Sequence, residues 1–176
     1  MTEEERQHIR TCRIIIIGEG DFIKYVKTEL ERLGFGKILN ISSTEELHRE
    51  KEPGIIIEYI NSGHWISDIY MLPSIYTFDF IEGAGAIILF PDDEMDIVNK
   101  QDVRLWTAEY MSGYCAFWNI SGSDWLRDAI PSIKEGKTNR VAQRTAAYLC
   151  ARIAANIAVG RNVKHYPRFY LCRNLE

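Results

Sequence analysis

Closely spaced cysteines and histidines are missing from this 176-residue chain. Its four cysteines (Cys12, Cys115, Cys150 and Cys172) and four histidines (His8, His48, His64 and His165) are scattered. Zinc motifs need such residues in short-spaced pairs, so none is expected, and the cysteines read as reduced, mostly buried thiols. Long apolar runs are missing too. Nothing approaches the roughly 20 residues that span a bilayer, so no membrane partner is expected. A basic excess is likewise absent, with 21 Lys and Arg against 25 Asp and Glu for a net charge of −4. That balance speaks against a broad electrostatic footprint for nucleic acid. The opening Met1-Thr2-Glu3-Glu4-Glu5-Arg6 is acidic and polar rather than basic then apolar, which makes a cytoplasmic location the expectation. With no internal repeat, low-complexity tract or obvious linker, residues 1–176 read as a single domain.

What is present is an ordinary globular composition, 46% hydrophobic and 26% charged. It is organised around Arg13-Ile14-Ile15-Ile16-Ile17-Gly18-Glu19-Gly20-Asp21-Phe22. Four isoleucines in a row read as a strand buried on both faces, the kind found inside a mostly parallel sheet. Gly18 and Gly20 fall where the strand must turn into a helix, and where phosphates would approach bare backbone. The helix runs from about Asp21, its N-cap, to Leu33, with Phe22, Ile23, Val26 and Leu30 at helical spacing and Gly34 as its stop. A second strand, Lys37 to Ile41, follows at once. Ser43 and Glu46 then have capping-box spacing for a short helix, which Pro53 and Gly54 close.

Gly54 to Ile60 reads as the third strand and Asn61-Ser62-Gly63-His64 as a loop. A helical stretch, Trp65 to Met71, is broken by Pro73. Gly85 to Phe90 is the fourth strand, ending at Pro91 before an acidic segment. Residues 101–118 look helical and aromatic-rich, and Asp124 to Glu135 form a shorter helix around Pro131. The longest helix signal spans Thr138 to Val159, rich in alanine, and a strand from about Tyr166 to Cys172 closes the chain. Strands alternating with helices predict an α/β, Rossmann-like three-layer sandwich with a mostly parallel sheet.

The strand and Gly-x-Gly turn, followed by Leu33-Gly34-Phe35-Gly36-Lys37-Ile38-Leu39, resemble the opening of the ThiF/MoeB-like proteins, relatives of ubiquitin-activating enzymes. The alanine-rich helix ending at Gly160 is similar to the family's C-terminal closure. The resemblance covers about the first 60 and last 40 residues. It implies a ThiF-like fold, ATP and Mg²⁺ as cofactors, a small carrier protein whose C-terminus is adenylated, and a homodimer. Residue by residue, it carries over Gly18 and Gly20 and places Asp21, Ser42 and Asn61 at cofactor positions. The departures are many. Ile23 replaces the third glycine, and Asp21 adds negative charge where a triphosphate belongs. Ser42 and Thr44 stand where the family has Asp-x-Asp, the Asn-x-x-Arg-Gln segment is missing, and Asn61 occupies the metal-binding aspartate position. These losses favour a nucleotide- or protein-binding module over an adenylating enzyme. Two alternatives stay open. One is an active enzyme using Gly18, Gly20, Asp92 or Asp93 for Mg²⁺ and an arginine such as Arg13 or one from a partner. The other is an NAD(P)-binding Rossmann protein with Ser42 or Ser43 at the ribose and Lys37 or Arg49 near a 2′-phosphate.

Further positions are weighed on chemistry alone. Asp92, Asp93, Glu94 and Asp96 follow a buried strand and suit either a hard cation or the first turn of a helix. Cys115 lacks a basic neighbour in sequence, which favours a core thiol over a nucleophile. His64 is either a crevice base or a loop histidine. Trp106, Tyr110, Tyr114, Phe117, Trp118 and Trp125 read as core or as a homodimer surface, with base stacking disfavoured by the few interleaved cations.

Overall fold

The computed structural model describes residues 1–49, 52–60, 72–93 and 102–174. The chain begins with helix α1 (Glu3–Thr11), closed by a capping box in which Glu5 N donates to Thr2 Oγ1 at 3.1 Å and Thr2 N to Glu5 Oε2 at 2.8 Å. Buried Ile9 anchors it, and Arg161 Nη2 meets Glu5 Oε1 at 2.7 Å. The charged lead segment is therefore a docked helix. Strand β1 (Arg13–Ile17) follows, then α2 (Asp21–Leu33), β2 (Lys37–Ile41), α3 (Thr44–Arg49) and β3 (Ile55–Tyr59). At the start of α3, Ser43 Oγ accepts from Glu46 N at 3.2 Å, while the Glu46 carboxylate accepts from Ser42 N at 3.4 Å, one residue earlier than a regular capping box.

The next element corrects the sequence reading. Strand β4 (Ser74–Asp79) lies between β3 and the strand expected fourth, which is instead β5 (Gly83–Leu89). Residues 61–71, including the helix expected there, lie outside the described residues. Helices α4 (Val103–Phe117), α5 (Asp124–Lys134) and α6 (Arg140–Ala158) precede β6 (Tyr170–Arg173), which starts later than expected.

The strand order is β2-β1-β3-β4-β5-β6. Strands β2, β1, β3 and β4 are mutually parallel, whereas β5 is antiparallel to both β4 and β6. Ile14 through Ile17 are all fully buried, each burial contributing roughly 2 kcal/mol. They alternate between faces: Ile14 and Ile16 meet α2 and α6, while Ile15 and Ile17 pack with Leu47 of α3. Tyr76, Phe78, Ile87 and Leu89 join α4 and α5 in a third cluster. Ala146, Ala147, Ala151 and Ala154 of α6 share the first cluster with Ala84 and Ala86 of β5, so small residues on both sides bring helix and sheet close. The mixed α/β sandwich is thus as expected, with helices on both faces of a mostly parallel sheet.

Candidate functional site

Open α/β sheets place ligands beyond the carboxyl ends of their parallel strands. At that edge Gly18 ends β1. A Cβ added there would lie 3.3 Å from Tyr59 Cβ and 3.9 Å from Phe22 Cδ1. The Phe22 and Tyr59 rings stack with centroids 4.5 Å apart. Gly18 therefore lets β1, β3 and α2 converge on an aromatic pair. Gly20 does something different. Its φ of 74° and ψ of −153° lie in a region that only glycine occupies without strain, and an added Cβ would meet nothing within 4 Å.

Asp21 opens α2. Its Oδ2 lies 3.7 Å from Arg140 Nη2 and its Oδ1 3.9 Å from Lys24 Nζ, at a half-exposed position where such pairs contribute little. The same edge gathers the starts of α4 and α6, and each is already satisfied from within the chain. Asp102 Oδ1 accepts from Leu105 N at 3.0 Å, and Asn139 Oδ1 accepts from Val141 N at 2.8 Å. Helix N-termini attract anions through unpaired N–H groups and the helix dipole. Here, side-chain acids and amides of the chain hold those positions. Ser42 is exposed just past β2, with its amide turned to Glu46. Asn61 and His64 lie outside the described residues.

Behind this edge is a buried polar cluster that the sequence reading missed. Asp79, at the end of β4, is fully buried. Its Oδ1 accepts from Ile81 N at 2.8 Å and its Oδ2 from Asn139 N at 2.7 Å. Arg104, 1% exposed, comes from α4 to donate Nε to Asp79 O at 2.7 Å and Nη2 to Lys137 O at 2.6 Å. Its Nη2 also stands 3.8 Å from Asp79 Oδ1. Burial pulls the guanidinium pKa down and the Asp79 charge opposes that shift. The Tyr59 hydroxyl, buried nearby, has no hydrogen-bond partner among the described residues. Burial first and Asp79 second push its pKa up; Arg104 and the neighbouring Gln143 side chain oppose this, Gln143 without reaching hydrogen-bonding geometry. Both Asp79 carboxylate oxygens are thus occupied by backbone amides, which ties β4 to the start of α6. The available signal was Asp79 itself, the only charge between Ser74 and Ile81 in an otherwise strand-like run.

The remaining expectations separate. Asp93 accepts from Phe90 N at 2.8 Å and faces His165 Nδ1 at 2.9 Å, so it caps a turn and orients an imidazole. Glu94 and Asp96 lie outside the described residues, among which no group of three or more His, Cys, Asp or Glu is placed to hold a metal. Cys115 is buried. The aromatic set divides: Trp125 is core, Trp106 stacks on Tyr110, and Phe117 and Trp118 stand 78% and 62% exposed at the end of α4.

No family model and no curated protein matches the chain. Among solved structures it is similar to the crystal structure of E. coli MccB, at a TM-score of 0.51 and 12% identity over 97% of this chain. The likeness is one of fold. The chain corresponds to 64% of the length of that MccB chain. The two share a mixed α/β, Rossmann-type architecture.

Proposed function

We propose that this chain is a ThiF-like binding module that does not adenylate. The observation that carries the reading is Asp21, whose carboxylate occupies the first turn of α2 and is paired with Arg140 and Lys24. A triphosphate at the Gly18–Gly20 turn would have to compete with that carboxylate for Arg140 and Lys24. The packing of Gly18 against Tyr59 supplies a structural reason for the turn that needs no ligand. The solvent-facing Phe117 and Trp118 support protein binding, with a second copy of the chain or a small carrier protein as partner.

A second reading, a nucleotide or dinucleotide held without adenylation, has Gly20 in its favour, because the space beside it is open. Thermal unfolding with ATP·Mg²⁺, NAD or NADP separates the two, since a ligand at 100 times its Kd adds about 2.7 kcal/mol. No shift with any of the three is expected of the native chain. Asp21→Asn is expected to bring out or strengthen an ATP·Mg²⁺ shift by removing the competing charge. ATP–pyrophosphate exchange in the presence of a carrier protein ending in Gly-Gly would overturn the non-adenylating reading outright.

A further inference from the structure

Far from the glycine turn, a cavity of about 350 Å³ opens between the end of α4, the start of α5 and β6. Its charge runs against that of the chain. Among the described residues, Lys164, Arg168 and Arg173 line it and no acid does, although the molecule as a whole carries −4. None of the three has a carboxylate partner among the described residues; Lys164 only stands over the Tyr170 ring, 5.3 Å from its centroid. Elsewhere, Arg6, Arg32, Arg127 and Arg161 each have one. Three exposed cations converging on one concavity without a counter-charge repel one another, a cost that an anion would relieve.

The walls define the rest of the ligand. Leu171 and Arg173, alternate residues of the last strand, turn to the cavity together with Phe169 just before it, as a period of two requires. Tyr114 faces Phe169 edge-on with centroids 5.1 Å apart, and buried Trp125 closes the floor. One end of the cavity is thus aromatic and apolar, and its rim is cationic. The Ser121–Ser123 turn contributes hydroxyls, with Gly122 at a positive φ of 76°. The volume lies at the small end of the range for ligand sites. In the adjoining cavity Asp124 and Arg127 pair at 3.7 Å and neutralise each other, so the uncompensated charge is confined to the first.

We propose that this cavity binds a small organic anion, a phosphate or carboxylate carried on a planar apolar body. The cations meet the anionic group and select its sign, while Tyr114, Trp125 and Phe169 take the ring. The site stands apart from the Gly18–Gly20 edge and does not depend on what that edge binds.

Backbone amide NMR of the full chain tests this with phenyl phosphate, phenylacetate, inorganic phosphate and benzyl alcohol as probes. The two aromatic anions are expected to shift the amides of residues 121–125 and 169–173 saturably, weakening as salt is raised. Whichever binds tighter identifies the anionic group. Inorganic phosphate, lacking the ring, is expected to bind at least tenfold more weakly, and benzyl alcohol not to saturate. Arg168→Gln combined with Arg173→Gln changes only exposed side chains and is expected to weaken phenyl phosphate binding at least tenfold. Unchanged affinity in that double variant, equal binding of benzyl alcohol, or shifts centred elsewhere would overturn the proposal. An acidic peptide binding tenfold tighter than both aromatic anions would overturn it in favour of a peptide-docking groove.

Discussion

At Asp79 a single carboxylate holds the β4–β5 turn through Ile81 N, the start of α6 through Asn139 N, and the charge of Arg104 from α4. Asp79→Asn preserves the shape but removes the charge and one acceptor, leaving a buried guanidinium supported by carbonyls alone. Breaking a buried pair from one side costs about 3–5 kcal/mol, so this one-atom change is expected to lower the unfolding free energy measured in urea by that order. A loss below about 1 kcal/mol would mean that the carboxylate is not the organising group. Single residues were only partly legible in the sequence. Gly18 and Gly20 were identified from spacing, but spacing cannot say that one glycine is required by Tyr59 Cβ and the other by its backbone angles. Asp79 was passed over because its partners lie 25 and 60 residues away in the chain. Asn61 falls outside the described residues, so its assignment rests on the resemblance alone.

Among elements, the continuous isoleucine runs of β1 and β3 and the alanine-rich α6 were readable because burial on both faces, or close packing, leaves a compositional mark. Strand β4 was not. Its Ser74-Ile75-Tyr76-Thr77-Phe78-Asp79 mixes polar with large residues, although all six positions are buried, and it follows Pro73, which reads as a break. Strand β5 begins two residues before the sequence suggests, because Gly83 and Gly85 look like a turn. Both are strand residues with space filled by others. A Cβ at Gly83 would collide with Cys172 O and Trp125 Cη2. Neither a backbone carbonyl in the ladder nor a buried indole can move aside cheaply. Gly83→Ala is therefore expected to cost about 3 kcal/mol and to loosen β6 first. Amide hydrogen exchange should show β6, Tyr170–Arg173, losing protection ahead of β1; simultaneous loss across the sheet would place the strain elsewhere.

For the whole molecule, the three-layer plan was legible in the alternation of strands and helices, whereas the division of aromatics between core and surface required the packing. Phe117 and Trp118 meet edge-to-face with centroids 5.1 Å apart, exposed to solvent. If they form the self-association surface, Phe117→Ser with Trp118→Ser should shift sedimentation equilibrium toward monomer while leaving the thermal midpoint of the monomer unchanged. A dimer that persists unchanged would remove that surface from consideration. Alkaline stability is set deeper inside. Burial pushes the Cys150 thiol up to about 12 from an ordinary 9.0, with the Thr77 side chain offsetting part of the shift. Burial raises the Tyr59 phenol in the same direction. In both groups the folded pKa lies above the unfolded one, so their contribution is complete below pH 9 and is lost as pH rises toward 12. The unfolded chain releases the thiol proton first, and between pH 9 and pH 11 this costs the fold about 2 kcal/mol from Cys150 alone. Urea unfolding should therefore weaken steeply above pH 9 in the native chain. Cys150→Ala starts lower at pH 7 because it leaves a small void, yet should lose less than the native chain over the same interval. Parallel losses in the two chains would show that the thiol remains protonated in both states, or reaches water in the fold, and that the alkaline limit lies with Tyr59.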